Sequence, residues 1–298
     1  MISIIICSAK ADLLTAVSKN IAATIAVPFE IISFRNEEGR IGICELYNKG
    51  IEQAQFPLLC FMHEDIIIHT NNWGEIVADI FSNNPNLGLL GVAGSFYKPL
   101  APSGWVGSSW MGQDIDTVCT NFIQAYKYVD KTPHLIYENP YNTSLAEVAC
   151  VDGLWFCIPK HIAVAYKFDE QKFKGFHCYD VDFSIAVGLD HKVAVTYDVL
   201  LTHLSEGRFD KTWLTETFKL HKKWDEYLPI NKGNFPRKKS LYLERVTFKH
   251  FLYQLTEVGL PLSTAYKILW QNSFLKKLGL KLFLKLNFYT YKKIKKAR

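Results

Sequence analysis

The sequence predicts an α/β fold: a mostly parallel, Rossmann-like sheet with flanking helices, followed by a helical C-terminal extension. Three observations carry this prediction. Short apolar runs of strand length alternate with segments whose apolar residues recur at helical spacing. The links between them are short, as in sheets whose neighbouring strands run parallel. Beyond Asp210 the strand-like runs stop and helical patterning takes over. Two domains are therefore expected, residues 1–210 and residues 211–298.

The first strand is "SIIICS" (Ser3–Ser8), and Ala11 to Ile25 carries helical spacing. "FEIISF" (Phe29–Phe34) reads as a second strand, ended by polar "RNEEG". "ICELYNKGIEQA" (Ile43–Ala54) reads as a helix and "PLLCFM" (Pro57–Met62) as a third strand. A helix over Trp73–Phe81 and a strand over Leu87–Phe96 follow. Tyr97 to Gln113 is rich in Gly, Pro, Ser and Trp and reads as a long loop. "EVACVDGLWFCIPK" (Glu147–Lys160) reads as one strand carrying a buried acid. A helix is expected over Tyr179–Asp190 and a last strand over Lys192–Leu204. The helical extension should break at Pro229–Lys239.

Composition bounds the function class. Hydrophobic residues make up 49% and charged residues 21%, so a packed globular chain is expected, not a disordered one. No apolar stretch reaches the roughly 18 residues a membrane span needs, and "MISIIICSAK" lacks the basic start of a signal peptide. Seven cysteines, an odd number with no CxxC, read as reduced buried thiols in a cytoplasmic protein.

Parallel sheets bind ligands at the carboxyl ends of their strands. Ser8, Arg35, Asn36 and the triplet His63-Glu64-Asp65 all fall there. Each candidate also has a plain structural reading. The triplet could be a solvated turn, Asp180 and Asp182 could be acids favoured at a helix start, and His203 could be an ordinary strand-end histidine. Asp152 in "CVDGLWF" is harder to set aside, because an unpaired acid in so apolar a run would cost several kcal/mol.

The order of these features resembles that of family 2 glycosyltransferases with the GT-A fold, over about residues 1–210. The matching stretches are "SIIICS", "RNEEG", "GICELYNKGIEQAQFPLLCFMHEDI", "VDGLWFCIPK" and "GFHCYDVDFSIAV". The resemblance is nearer still to a bacterial subgroup that writes its DxD motif as His-Glu-Asp. It implies a nucleotide-sugar donor held by Ser8, Arg35, Asn36, Asn48, His63, Glu64 and Asp65. It implies Mn2+ or Mg2+ on Asp65 and His203, and Asp180 as the base that deprotonates the acceptor. Asp152, Trp155 and Asp182 fall on the implied acceptor side. The chemistry suits these residue types. A leaving pyrophosphate needs a cation, hard oxygen ligands suit Mg2+ or Mn2+, and an acceptor hydroxyl needs a positioned carboxylate.

Two residues depart from the family pattern. His63 replaces the first Asp of DxD, and Tyr179 replaces the Glu before the catalytic Asp. No Gln-x-x-Arg-Trp follows, so a non-processive enzyme is expected. The implied role is transfer, with inversion, to a glycan or lipid-linked acceptor in bacterial surface polysaccharide synthesis. The alternatives are a non-catalytic nucleotide-sugar-binding homologue and a sugar-nucleotide pyrophosphorylase. The latter would want a Gly-rich basic loop where "CSAKADL" stands.

The net charge of +5 hides an asymmetry. Gln271–Arg298 holds eight lysines, one arginine and no acid, and without those nine cations the balance becomes −4. The tail reads either as a helix packed on the body with a solvated lysine face, or as a basic amphipathic segment on the inner face of an anionic membrane. Nucleic acid is not expected as a partner, since no reader motif accompanies the charge.

Overall fold

The computed structural model describes residues 1–107, 115–207 and 209–297. From the start, β1 (Ile2–Ser8), α1 (Ala11–Thr24), β2 (Phe29–Arg35), α2 (Ile43–Gln53) and β3 (Leu58–Met62) alternate. Then come β4 (Ile66–Ile68), α3 (Trp73–Asn83), β5 (Leu87–Gly91), β6 (Ala93–Ser95) and β7 (Tyr97–Lys98). The middle holds β8 (Val118–Gln124), β9 (His134–Glu138), β10 (Leu145–Glu147), β11 (Cys150–Val151) and β12 (Trp155–Pro159). Next are α4 (Lys160–Tyr166), α5 (Tyr179–Val187), β13 (Lys192–Thr196) and β14 (Leu201–His203). The remainder is α6 (Lys211–Lys223), β15 (Ile230–Asn231), α7 (Arg237–Glu257), α8 (Ser263–Gln271), α9 (Phe274–Leu278) and α10 (Leu280–Ala297).

The chain forms two compact units: Met1–Phe96 with Asp116–Gly207, and Tyr97–Ile115 with Arg208–Arg298. In the first, seven strands line up as β10-β13-β5-β12-β3-β1-β2. β1 runs parallel to β2 and β3, and β13 runs parallel to β5. β12 lies antiparallel between β3 and β5, and β10 is an antiparallel edge. Ile2, Ile4, Ile5 and Ile6 are all fully buried. Such an unbroken apolar run is what a central strand covered on both faces requires. A second sheet, β11-β6-β8-β14-β4, carries β9 on β8.

Three runs that the sequence presents as single strands are each divided between the two sheets. Leu87–Phe96 becomes β5 and β6, Glu147–Lys160 becomes the end of β10, then β11 and β12, and Lys192–Leu204 becomes β13 and β14. The apolar pattern continues through each bend because both sheets face the core. The bend at Asp152-Gly153 matters most. Asp152 is not an acid inside a strand. It sits half-buried on a turn, where its carboxylate accepts the Leu154 N–H at 2.8 Å.

In the second unit, the described part of the expected Tyr97–Gln113 loop is pinned by buried polar groups; residues 108–113 lie outside the described residues. β7 pairs with β15. The buried Glu244 carboxylate accepts the Tyr97 hydroxyl at 2.9 Å and the Leu100 and Ala101 N–H groups at 2.8 and 2.9 Å. Lys98, also fully buried, donates to the Ser103 carbonyl, the Ser103 hydroxyl and His221 Nε2 within 2.8–2.9 Å. Burial and the Lys98 charge keep His221 neutral, which lets Nε2 accept. Polar groups that far from water are tolerated only when paired, and the pairing fixes a segment whose composition alone reads as irregular. The Asp210 carboxylate caps α6 by accepting the Trp213 N–H at 2.9 Å. No helix among the described residues is long and apolar enough to cross a membrane.

Candidate active site

β1, β2 and β3 are parallel neighbours, with Ser8 opposite Arg35 and Ile6 opposite Met62. Their carboxyl ends therefore share one rim, and the chain leaves β3 there through His63-Glu64-Asp65. The triplet spans the bend between β3 and β4, and its side chains part there. Glu64 turns to the β1–α1 loop, where its carboxylate accepts the Ser8 hydroxyl at 2.6 Å and the Ala9 and Lys10 N–H groups at 3.2 and 3.1 Å. His63 and Asp65 turn the other way, towards each other, with Nδ1 of His63 3.9 Å from Asp65 Oδ1.

His203 joins them although it lies far along the chain. β14 runs antiparallel to β4 and pairs His203 with Ile66, so its Nε2 stands 3.7 Å from Asp65 Oδ1. One ligand atom from each of His63, Asp65 and His203 lies within 4.8 Å of the others. The other Asp65 oxygen accepts the Ser205 hydroxyl at 2.5 Å, and the Asp65 carbonyl accepts the Leu204 N–H at 2.9 Å. Burial pushes the Asp65 carboxyl up, but His63, His203 and the Ser205 hydroxyl outweigh it and hold the group below its ordinary value. Burial and the neighbouring His63 push the His203 imidazole down. The set is thus an ionised carboxylate and a neutral imidazole beside a second imidazole. That donor chemistry fits a divalent ion, and imidazole suits Mn2+ better than Mg2+.

The two departures from the family pattern meet each other. The Tyr179 hydroxyl lies 3.0 Å from His63 Nε2 and donates to the Gly153 carbonyl at 3.2 Å. With its own proton on the Gly153 carbonyl, the hydroxyl oxygen can accept from Nε2 of His63, the tautomer that a ligand atom at Nδ1, on the side of Asp65, requires. A Cβ on Gly153 would fall 2.1 Å from the Tyr179 hydroxyl, so only glycine admits this contact. Cys178, just before Tyr179, holds φ at 63°, a left-handed conformation that costs a non-glycine residue about 1–2 kcal/mol.

Beside this pair stand two carboxylates. Asp180 accepts the Gly153 N–H at 3.0 Å, next to the Asp152 turn. Burial and the charge of Asp152 push the Asp180 carboxyl up to about 7. Asp152 also acts electrostatically on His203, so carboxylate pair and histidines share one neighbourhood. A carboxylate with its proton affinity raised to near neutrality is suited to accept a proton from a hydroxyl.

Other expected site residues have different settings. Arg35 is exposed at the end of β2. Asn36 closes the loop after β2, donating to the Ile41 carbonyl at 2.7 Å. Asn48 ties α2 to the segment after α4, through the Phe168 carbonyl, the Phe168 N–H and Glu170. Asp182 is buried in the first turn of α5. Trp155, expected on the acceptor side, is 0% exposed and lies edge-on to Trp73, so its ring has no face open to an acceptor. Neither Tyr179 nor Ser205 was singled out as a functional residue from the sequence. Tyr179 showed only as a departure, and Ser205 carried no signal.

The model of a family described as "Glycosyltransferase like family" matches residues 3–228. No curated protein matches the sequence. Among solved structures, the chain is similar to S. aureus TarS 1-349 at 11% identity, over 98% of this chain and 87% of that one, with TM-score 0.55. It is similar to S. aureus TarS at 12% identity, over 98% of this chain, with TM-score 0.52. A structure of GalNAc-T7 with UDP, GalNAc and Mn2+ aligns at 12% identity over 90% of this chain, with TM-score 0.48. The chain spans 53% of the TarS chain and 58% of the GalNAc-T7 chain.

Proposed function

The chain belongs to the glycosyltransferase-like family and has the GT-A fold, and from that premise we propose that it transfers a sugar from a nucleotide-sugar donor to a glycan or lipid-linked acceptor. The observation that carries this reading is the meeting of two groups on one rim: the His63-Asp65-His203 cluster and the Asp152-Asp180 carboxylate pair.

In this reading His63, Asp65 and His203 would hold Mn2+ or Mg2+. Such an ion supplies positive charge for the oxygens of the departing pyrophosphate. Ser205 and Tyr179 orient the ligands from behind. Glu64 shapes the β1–α1 loop, and Ser8, Arg35 and Asn36 border the donor at the same strand ends, with Asn48 ordering α2 behind them. Asp180 takes the proton from the acceptor hydroxyl as it attacks. Its neighbour Asp152 orients that hydroxyl and keeps the proton affinity of Asp180 high. A single carboxylate base fits direct displacement with inversion, one sugar per encounter. The setting we propose is bacterial surface polysaccharide synthesis, with the enzyme working at the cytoplasmic face of the membrane.

A thermal-shift panel of nucleotide-sugars with and without Mn2+ tests the proposal, because a ligand that binds only the folded state raises the melting temperature. One nucleotide-sugar should stabilise the protein, and do so more strongly with Mn2+. No stabilisation by any member, with or without metal, would count against it. Binding followed by no transfer to any acceptor would mark a non-catalytic homologue instead.

A further inference from the structure

We propose that the outward face of α10 is a docking surface for an anionic lipid bilayer. The inference concerns the second unit alone and stands whether or not the site above transfers a sugar.

Helix α10 has two kinds of apolar residue. Leu282, Phe283 and Leu286 are buried. Leu280, Leu284, Phe288 and Tyr291 are not: they are 62%, 56%, 51% and 55% exposed. At 100° per residue these four fall within about 80° of the helix surface, in one stripe on the side away from the buried set. Trp270 of α8 borders the stripe. Its indole N–H donates to the Asn287 side chain at 3.0 Å and its ring lies 5.0 Å from Phe283, yet the residue is 68% exposed. Along the other border Lys281, Lys285 and Lys292 fall within about 40° of one another, all exposed. The Lys292 ammonium lies 4.6 Å from the Phe288 ring.

A helix that merely packed on the body with a solvated outer face would carry polar residues where this stripe lies. A contiguous exposed apolar strip rimmed by charge marks a contact surface. Charge then selects the occupant. Residues 271–298 hold nine cations and no acid, so a second copy placed on this face would bring like charges together. Nucleic acid would satisfy the lysines but leave the apolar stripe facing water. A bilayer with anionic headgroups satisfies both: the stripe enters the headgroup boundary, and the lysines extend along it to the phosphates.

Co-sedimentation of the full chain with vesicles of phosphatidylglycerol and phosphatidylcholine, against phosphatidylcholine alone, at about 150 mM salt, tests the proposal. Binding is expected with the anionic vesicles. Each of Lys281→Gln, Lys285→Gln and Lys292→Gln should weaken it about fivefold. Leu284→Ser with Phe288→Ser should weaken it about tenfold or more, with unchanged helix content. If the serine pair unfolds the helix, Phe288→Trp keeps the question open to measurement: its fluorescence should shift to the blue on anionic vesicles. Indifference of the full chain to these vesicles, unchanged binding by the serine pair, or no shift in Phe288→Trp would each overturn the proposal. So would a wild-type dimer that the serine pair dissociates, or tighter binding to duplex DNA or RNA than to the vesicles.

Discussion

Replacing Tyr179 by Phe removes one oxygen atom and nothing else. The ring keeps its packing beside Tyr47 and Phe168. The hydroxyl's two contacts are lost, at 3.0 Å to His63 Nε2 and 3.2 Å to the Gly153 carbonyl. A buried carbonyl deprived of its donor costs about 1–3 kcal/mol of stability, so the melting temperature should fall without loss of the fold. The larger effect should fall on metal. The imidazole of His63 would no longer be held in the tautomer that presents Nδ1, and loss of such an outer partner costs about 10–100-fold in metal affinity. Calorimetric titration of Mn2+ into wild type and Tyr179→Phe, each saturated with a nucleoside diphosphate that stabilises the wild type, measures this. An unchanged Mn2+ affinity in a variant with the expected loss of stability would refute the reasoning. His63 would then not be a ligand, and the meeting of the two departures would be packing alone.

Asp180→Asn should keep donor binding and lose transfer by about 10²–10⁴-fold; near-wild-type turnover would remove Asp180 from the base role. Since the wild-type carboxyl is pushed up to about 7 and only its ionised form accepts a proton, turnover should rise with pH through that region and then level. An acid limb in the ordinary carboxylate range would contradict it. The same shift has a stability sign: the fold favours protonated Asp180, so its contribution is greatest below the unfolded value and is lost as pH rises towards 7, and Asp180→Asn should flatten that loss in melting curves. Asp65→Ala and His203→Ala should each abolish Mn2+-dependent binding of the nucleoside diphosphate by calorimetry while the protein stays folded. Glu64→Gln should instead speed hydrogen exchange at the Ala9 and Lys10 amides, cost about 1–2 kcal/mol of stability, and leave Mn2+ affinity unchanged.

The rim itself was legible in the sequence, because polar residues follow apolar strand runs at Ser8, Arg35 and His63. The division of labour within the triplet was not: the sequence puts all three residues on the donor, and only the bend after β3 turns Glu64 to the β1–α1 loop, away from His63 and Asp65. What else the sequence hid was long-range. Pairing of β14 with β4 brings His203 and Ser205 to Asp65, and no local pattern encodes a strand's partner. Nor does an apolar run disclose where it crosses from one sheet to another, so Asp152 read as buried in a strand when it sits on a turn. Trp155, placed on the acceptor side by the family resemblance, lies on β12 between β3 and β5, where its ring is buried and meets Trp73. Tyr179 showed as a missing Glu. Its role appears only when His63, itself a replacement, is found 3.0 Å away.

The central claim is metal-dependent sugar transfer by the His63-Asp65-His203 cluster and the Asp180 base. Its most direct measurement is turnover by mass spectrometry of the glycosylated acceptor, with a matched donor, for wild type in Mn2+, wild type with chelator, and Asp180→Asn in Mn2+. The account predicts product in the first, with chelation and substitution each lowering the rate by at least about 100-fold. Undiminished transfer after chelation, or in Asp180→Asn, would contradict it.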